Sequence, residues 1–194
     1  MKKILKFPEL RQTFVWDCGP NAMQGVLHYY GIDVREDSLI RIAGTQKRYG
    51  TYISGLKKVV RRFNLKQKSG KMTVDDIKRW INKKVPVIVS LQAWSDEKDV
   101  DWEKTWHHGH FVVCIGYSKT RLYFEDPSSG RRTFLPYNEF LQRWHDTDAG
   151  NKKIINWGMA VYRMHNPKKV KKTSLIDYWK KKLAFNINKV VKMG

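Results

Sequence analysis

The stretch "QTFVWDCGPNAMQGVLHYYG" (residues 12–31) contains one of the two cysteines in a chain of 194 residues. Apolar residues recur at helical spacing after Cys18, and Gly31 is placed to end the helix, so the pattern predicts a helix over residues 18–30. Cys18 then lies at the helix N-terminus. There, unpaired N–H groups and the helix dipole favour the thiolate form of a cysteine.

The flanks of Cys18 help to decide between two interpretations of this thiol. A free cysteine is most often a small buried hydrophobe. Here Asp17 precedes the cysteine and Gly19 and Pro20 follow it. Proline is tolerated early in a helix because its missing N–H would have no partner there, and glycine leaves space beside the sulfur. These flanks at a helix start favour a nucleophile.

Outward from this stretch, helices dominate the first half of the chain and strands the second. Helical patterns extend over residues 36–43, 54–63, 73–82 and 137–144, with Thr73 as the N-cap of the third. Runs rich in β-branched and aromatic residues predict strands over 86–94, 110–117, 121–127, 131–136 and 155–164. Helices followed by antiparallel strands are typical of an α+β domain.

A cysteine nucleophile needs a base, and the base needs an orienting group. Of six histidines, His110 is the best base because it begins a predicted strand directly after a glycine. Asp126 ends the next strand, and a hairpin would bring the two residues together. Taken alone, an aspartate before proline is a common turn residue. Gln12 could donate an amide N–H to an oxyanion, although most glutamines are simply solvated.

These residues resemble the papain-like cysteine peptidases, and more narrowly the bacteriocin-processing peptidases that trim double-glycine leaders. The resemblance covers residues 10–145 and rests on "QTFVWDCGP", "PVIV", "GHFVVCIGY" and "FEDPSSG". It implies N-terminal helices packed on an antiparallel sheet, with the nucleophile at a helix N-terminus. It also implies hydrolysis of peptide or isopeptide bonds in a peptide or protein substrate, with Cys18 as nucleophile, His110 as base, Asp126 as orienter and Gln12 as oxyanion donor.

Two other functions use the same features. The fold could serve as a basic binding module, or the thiol could transfer an acyl group to an amine. The chain has no G-x-x-x-x-G-K-[ST] motif, so the resemblance does not extend to an exporter ATPase. No cofactor or metal is expected: Asp99, Asp101, His107 and His108 form no paired ligand motif for zinc. The acidic segment of residues 94–106, which contains three tryptophans, is predicted to be an insertion beside the cleft.

The charge of the chain is uneven. The formal net charge is +20, and residues 166–194 contain nine lysines and one acid. The sequence therefore predicts a peptidase domain over residues 1–165 and a basic C-terminal segment, with an amphipathic helix over 173–191. Such a helix either docks its apolar stripe on the domain with its lysines in solvent, or binds an anionic membrane surface or an acidic protein, whereas no groove-reading motif favours nucleic acid. Two cysteines and no apolar signal segment indicate a cytoplasmic protein.

Overall fold

The computed structural model describes residues 2–163 and 190–194. Five α-helices lie within these residues: α1 (Cys18–Tyr29), α2 (Glu36–Ala43), α3 (Ile53–Arg62), α4 (Val74–Asn82) and α5 (Tyr137–Arg143). The strands in the same residues are β1 (Lys3–Ile4), β2 (Lys66–Lys71), β3 (Val87–Gln92), β4 (Gly109–Tyr117), β5 (Arg121–Asp126), β6 (Arg131–Pro136), β7 (His145–Asp148), β8 (Lys152–Ile155), β9 (Trp157–Tyr162) and β10 (Val190–Lys192). The predicted α+β class is confirmed.

One large sheet organises the molecule. Its strand order is β10-β6-β5-β4-β3-β9-β2, and β1 pairs with β4 in addition. Neighbours are antiparallel except for β10, which runs parallel to β6. Strands β7 and β8 form a separate antiparallel hairpin. Because β4 and β5 are antiparallel neighbours, the start of β4 and the end of β5 lie side by side at the same end of the sheet.

Helix α1 packs against β4 and α2, and its apolar face joins the main core. Met23, Val26 and Leu27 are fully buried there. All six residues of β3 are buried as well, including the polar Ser90 and Gln92. The core therefore fixes α1, and the thiol at its start, against the centre of the sheet.

Local sequence signals mark several helix boundaries correctly. Thr73 caps α4: its hydroxyl accepts a hydrogen bond from the Asp76 N–H, and the Asp76 carboxylate accepts one from the Thr73 N–H. Gly31, just beyond α1, adopts a φ of 74°, a backbone conformation that glycine reaches without strain. The predicted N-cap at Thr73 and the predicted stop at Gly31 are confirmed.

The structure contains strands that the sequence patterns do not predict: β1, β2, β7 and most of β8. Residues 190 and 191, predicted as the end of a helix, begin strand β10. The rest of the predicted amphipathic helix lies in residues 164–189, outside the described residues, so the helix and the domain boundary at residue 165 stay predictions. No helix in residues 2–163 or 190–194 is long and apolar enough to cross a membrane.

Candidate active site

Cys18 is the first residue of α1, as predicted, and its side chain is nearly buried, with 9% of its surface exposed. The helix begins with the Asn21 N–H donating to the Asp17 carbonyl. Gly19 lies directly against Thr51, and a Cβ added to the glycine would come within 2.7 Å of the Thr51 Cβ. Any larger residue at position 19 would therefore shift the helix start that carries the thiol.

The loop before Cys18 is held by two acidic side chains. The fully buried Asp17 carboxylate accepts hydrogen bonds from the Phe14 N–H at 3.2 and 3.1 Å. Burial and the charge of Glu36 raise the pKa of Asp17 to about 6, although backbone N–H groups oppose the shift. Glu36 in turn accepts hydrogen bonds from Thr13 and Asn21. The loop is thereby fastened to α1 and α2.

His110 and Asp126 are paired in the structure. The His110 Nε2 lies 2.8 Å from the Asp126 Oδ1, and both side chains are buried. The pairing follows from the sheet, because β4 and β5 are antiparallel neighbours. Since Nε2 faces the carboxylate, Nδ1 is the ring nitrogen left for the thiol.

The charge state of His110 is set by its two partners. Burial by itself lowers the pKa of His110, but the charge and hydrogen bond of Asp126, together with those of Cys18, raise it to about 10. Cys18 is therefore close enough to His110 to act on it through a hydrogen bond and through charge. This raised pKa favours the imidazolium form of the ring at neutral pH.

Two further groups, from Trp94 and Ser128, donate hydrogen bonds to Asp126, and neither was predicted from the sequence. The Trp94 indole N–H donates to Oδ2 at 3.0 Å, and the Ser128 backbone N–H donates to Oδ1 at 3.0 Å. The bond from Ser128 is expected for an aspartate at a turn, because such aspartates commonly accept a hydrogen bond from the N–H two residues further along the chain. Trp94 carries no local signal, because it is distant in sequence and reaches Asp126 only through the fold.

Gln12 lies beside the turn that follows Asp126. Its backbone N–H donates to the Pro127 carbonyl at 3.0 Å, and its side-chain oxygen accepts a bond from the Ser128 hydroxyl at 3.3 Å. The Gln12 amide nitrogen donates to the Phe14 carbonyl at 2.7 Å. Because a primary amide has two N–H donors, this bond leaves a second N–H that can be offered to a substrate. One turn thus contacts both Asp126 and Gln12.

The second cysteine belongs to the core. Cys114 is fully buried, and burial raises the pKa of its thiol to about 12. In the described part of the chain, no group of three or more His, Cys, Asp or Glu side chains could hold a metal ion.

The acidic segment of residues 94–106 is anchored by its tryptophans. Trp94 bonds to Asp126, and the Trp102 ring lies 3.8 Å from the Arg143 guanidinium carbon. The Trp106 ring packs 4.4 Å from the ring of His145. Trp94, at the start of the segment, is thus the residue that contacts the paired histidine and aspartate, whereas Trp102 and Trp106 pack on Arg143 and His145.

Several solved structures share this fold. A putative C39-like peptidase from Bacillus anthracis is 17% identical, with 86% of this chain and 100% of that chain covered and a TM-score of 0.64. A double glycine motif protease from an AMS/PCAT transporter, in complex with its leader peptide, is 19% identical, with 84% and 95% covered and a TM-score of 0.61. The peptidase domain of Streptococcus ComA, a bi-functional ABC transporter involved in quorum sensing, is 18% identical, with 80% and 97% covered and a TM-score of 0.58. The fold is thus that of the papain-like peptidases, as the resemblance implied.

Family membership follows from the sequence profile of the peptidase C39 family, which matches residues 6–148. The chain belongs to this family and is a cysteine-type peptidase. No protein in the curated set matches the chain.

Proposed function

We propose that the chain hydrolyses peptide or isopeptide bonds with Cys18 as nucleophile, His110 as base and acid, Asp126 as orienter and Gln12 as oxyanion donor. The observation that carries this assignment is the buried His110 ring, which bonds to Asp126 on one side and interacts with Cys18 on the other. Nucleophile, base and orienter in this order match the general requirement for thiol catalysis.

In the first step, the Cys18 thiolate attacks the carbonyl carbon of the scissile bond and a C–S bond forms. The charge that develops on the carbonyl oxygen is met by the second Gln12 amide N–H and by the backbone N–H of Cys18 at the helix start. His110 then gives its proton to the leaving amine as the C–N bond breaks. The product of this step is a thioester on Cys18.

In the second step, water attacks the thioester. His110, now neutral, takes a proton from the water, and the C–S bond breaks to release the carboxylic acid and restore the thiolate–imidazolium pair. Asp126 keeps Nε2 engaged throughout, so the ring presents Nδ1 to the reacting atoms in both steps.

For the substrate we propose a peptide or a peptide segment of a protein. The support is the related transporter protease, which was solved in complex with a leader peptide. The same fold and family in this chain make an extended peptide the natural ligand for the site around Cys18.

The test is turnover of a peptide library by the full chain, with Cys18→Ala as the inactive variant and Cys114→Ala as the matched control. We expect wild type and Cys114→Ala to cleave the same peptides and Cys18→Ala to cleave none. Cleavage by Cys18→Ala would refute the assignment. Adding amine acceptors separates hydrolysis from acyl transfer, because only a transferase would give a new amide in place of the acid.

A further inference from the structure

The Asp126 carboxylate is fixed through both of its oxygens. His110 and the Ser128 N–H engage Oδ1, whereas the Trp94 indole N–H engages Oδ2 at 3.0 Å. A carboxylate bonded at a single oxygen can rotate about its terminal torsion, since that torsion is broad. With Trp94 bonded to the second oxygen, the plane of the carboxylate is set and Oδ1 is held toward His110.

Trp94 occupies an unusual backbone conformation for this contact. Its φ is 60°, in the left-handed region where a bulky residue is uncommon and strained. Such a conformation persists only when the surroundings impose it. The residue follows closely after the buried strand β3, and the turn at Trp94 brings its indole back toward the end of β5.

The surroundings that hold Trp94 come from residues 193 and 194. The Trp94 backbone N–H donates to the Gly194 carbonyl at 3.0 Å, and the same oxygen accepts a bond from Arg143 at 2.7 Å. Gly194 also lies against the indole, where an added Cβ would come 2.8 Å from the ring carbons Cε3 and Cζ3. Met193, which is buried, anchors this stretch through its N–H to the Phe134 carbonyl.

We propose that Trp94 is a positioning residue for Asp126, and that residues 193–194, next to strand β10, hold it there. This role rests on the proposed function of Asp126 as orienter of His110. Residues 193–194 lie outside the part of the chain that matches the family profile, which ends at residue 148. The segment after β10 therefore acts on the active site through two contacts, Gly194 to Trp94 and Trp94 to Asp126.

The first experiment measures the hydrogen bond directly, in the full chain. The indole N–H resonance of Trp94 is assigned by NMR from its loss in Trp94→Phe. We expect this resonance to move strongly upfield in Asp126→Ala, because a bond to a carboxylate shifts an N–H downfield. The resonance of Trp102, from the same segment, should stay in place. An unchanged Trp94 resonance in Asp126→Ala would overturn the proposal, whatever the protein cleaves.

The second experiment measures the consequence for the thiol and for turnover. Trp94→Phe keeps an aromatic ring and removes the N–H, and Trp102→Phe is the matched control. We expect Trp94→Phe to alkylate Cys18 with iodoacetamide more slowly at pH 7, and to lower kcat on the cleaved peptides by about tenfold to a hundredfold at constant KM, as slight misplacement does. Trp102→Phe should match wild type. Equal rates for the two variants would contradict the role of Trp94.

A third variant, Gly194→Ala, tests whether residues 193–194 hold Trp94 in place. Gly194→Ala places a methyl group against the indole, so it should slow Cys18 alkylation in the same direction, and it should have no added effect in the Asp126→Ala background. If Gly194→Ala slows Cys18 alkylation further in the Asp126→Ala background, then Gly194 does not act through Asp126, and its proposed role is wrong. If wild type cleaves no peptide, the proposed function fails separately, because the NMR and alkylation measurements need no substrate.

Discussion

Replacing Asp126 with asparagine removes the negative charge that opposes the effect of burial on His110. Burial lowers the pKa of His110, while Asp126 and Cys18 raise it to about 10. In Asp126→Asn the carboxylate contribution is lost, so we expect the pKa of His110 to fall to its ordinary value of about 6.5 or below. The imidazolium is then no longer the stable form at neutral pH.

The size of the effect follows from these two pKa values. With a pKa of about 10, roughly a thousand His110 rings are charged at pH 7 for each neutral one; with a pKa of about 6.5, only about one ring in four is charged. Alkylation of Cys18 at pH 7 should therefore slow, because far fewer molecules carry the imidazolium charge that favours a thiolate. Turnover should fall further, by about a hundredfold or more, because the ring also loses its orientation.

The assay is the rate of iodoacetamide alkylation at Cys18 from about pH 5 to about pH 10, a range that spans both pKa values, followed by mass spectrometry. Buried Cys114 is the internal reference and should stay unreactive. The NH2 group of the asparagine replaces one carboxylate oxygen and opposes the donor there, either the Trp94 N–H at Oδ2 or the Ser128 N–H at Oδ1. The unpaired donor costs about 1–3 kcal/mol, so the melting temperature should drop by several degrees while the fold persists. A variant with wild-type melting and an unchanged rate of Cys18 alkylation at pH 7 would refute this reasoning.

The remaining predictions concern three separate parts of the chain. Gln12→Ala should lower kcat by about a hundredfold with little change in KM, as expected for one lost oxyanion donor. The control Gln24→Ala, on α1, should change neither constant. If Gln12→Ala changes KM alone, then Gln12 binds substrate and is not an oxyanion donor. Thr73→Ala removes the capping box and should cost about 1 kcal/mol, measured by thermal unfolding, with alkylation of Cys18 unchanged. Glutamine at residues 180–182 should weaken binding to anionic vesicles, and binding by the parent chain should fall steeply between about 0.1 and 1 M salt.

The assembly of the candidate site could be predicted where it depends on neighbouring elements. His110 and Asp126 are 16 residues apart, on two strands joined by a short turn, so strand patterns alone place them together. The helix start at Cys18 is equally local, since the Gly-Pro flank and the helical spacing lie within one stretch. Their roles in catalysis stay predictions until the variants are measured.

The parts that could not be predicted depend on long-range contacts or lack an apolar pattern. Strand β2 has the sequence KQKSGK with no apolar alternation, yet it pairs with β9 as the edge strand of the sheet. Its lysines suit an exposed edge, where charge discourages further pairing. Residues 190–192 fit the end of an amphipathic helix equally well, and only their pairing with β6 makes them a strand. The contact between Trp94 and Asp126 depends in turn on the residues that follow that strand.

The link between Ser128 and Gln12 spans 116 residues of sequence. During synthesis, α1 leaves the ribosome long before the residues that complete the site around its thiol. Until β4 and β5 have formed, both the His110–Asp126 pair and the bond between Ser128 and Gln12 are absent. Under the proposed function, hydrolysis by a nascent chain would begin only after the sheet has packed against the helix. Under the same proposal, local opening of this packing in the finished protein would stop turnover, so the rate of peptide cleavage would report on the integrity of the fold.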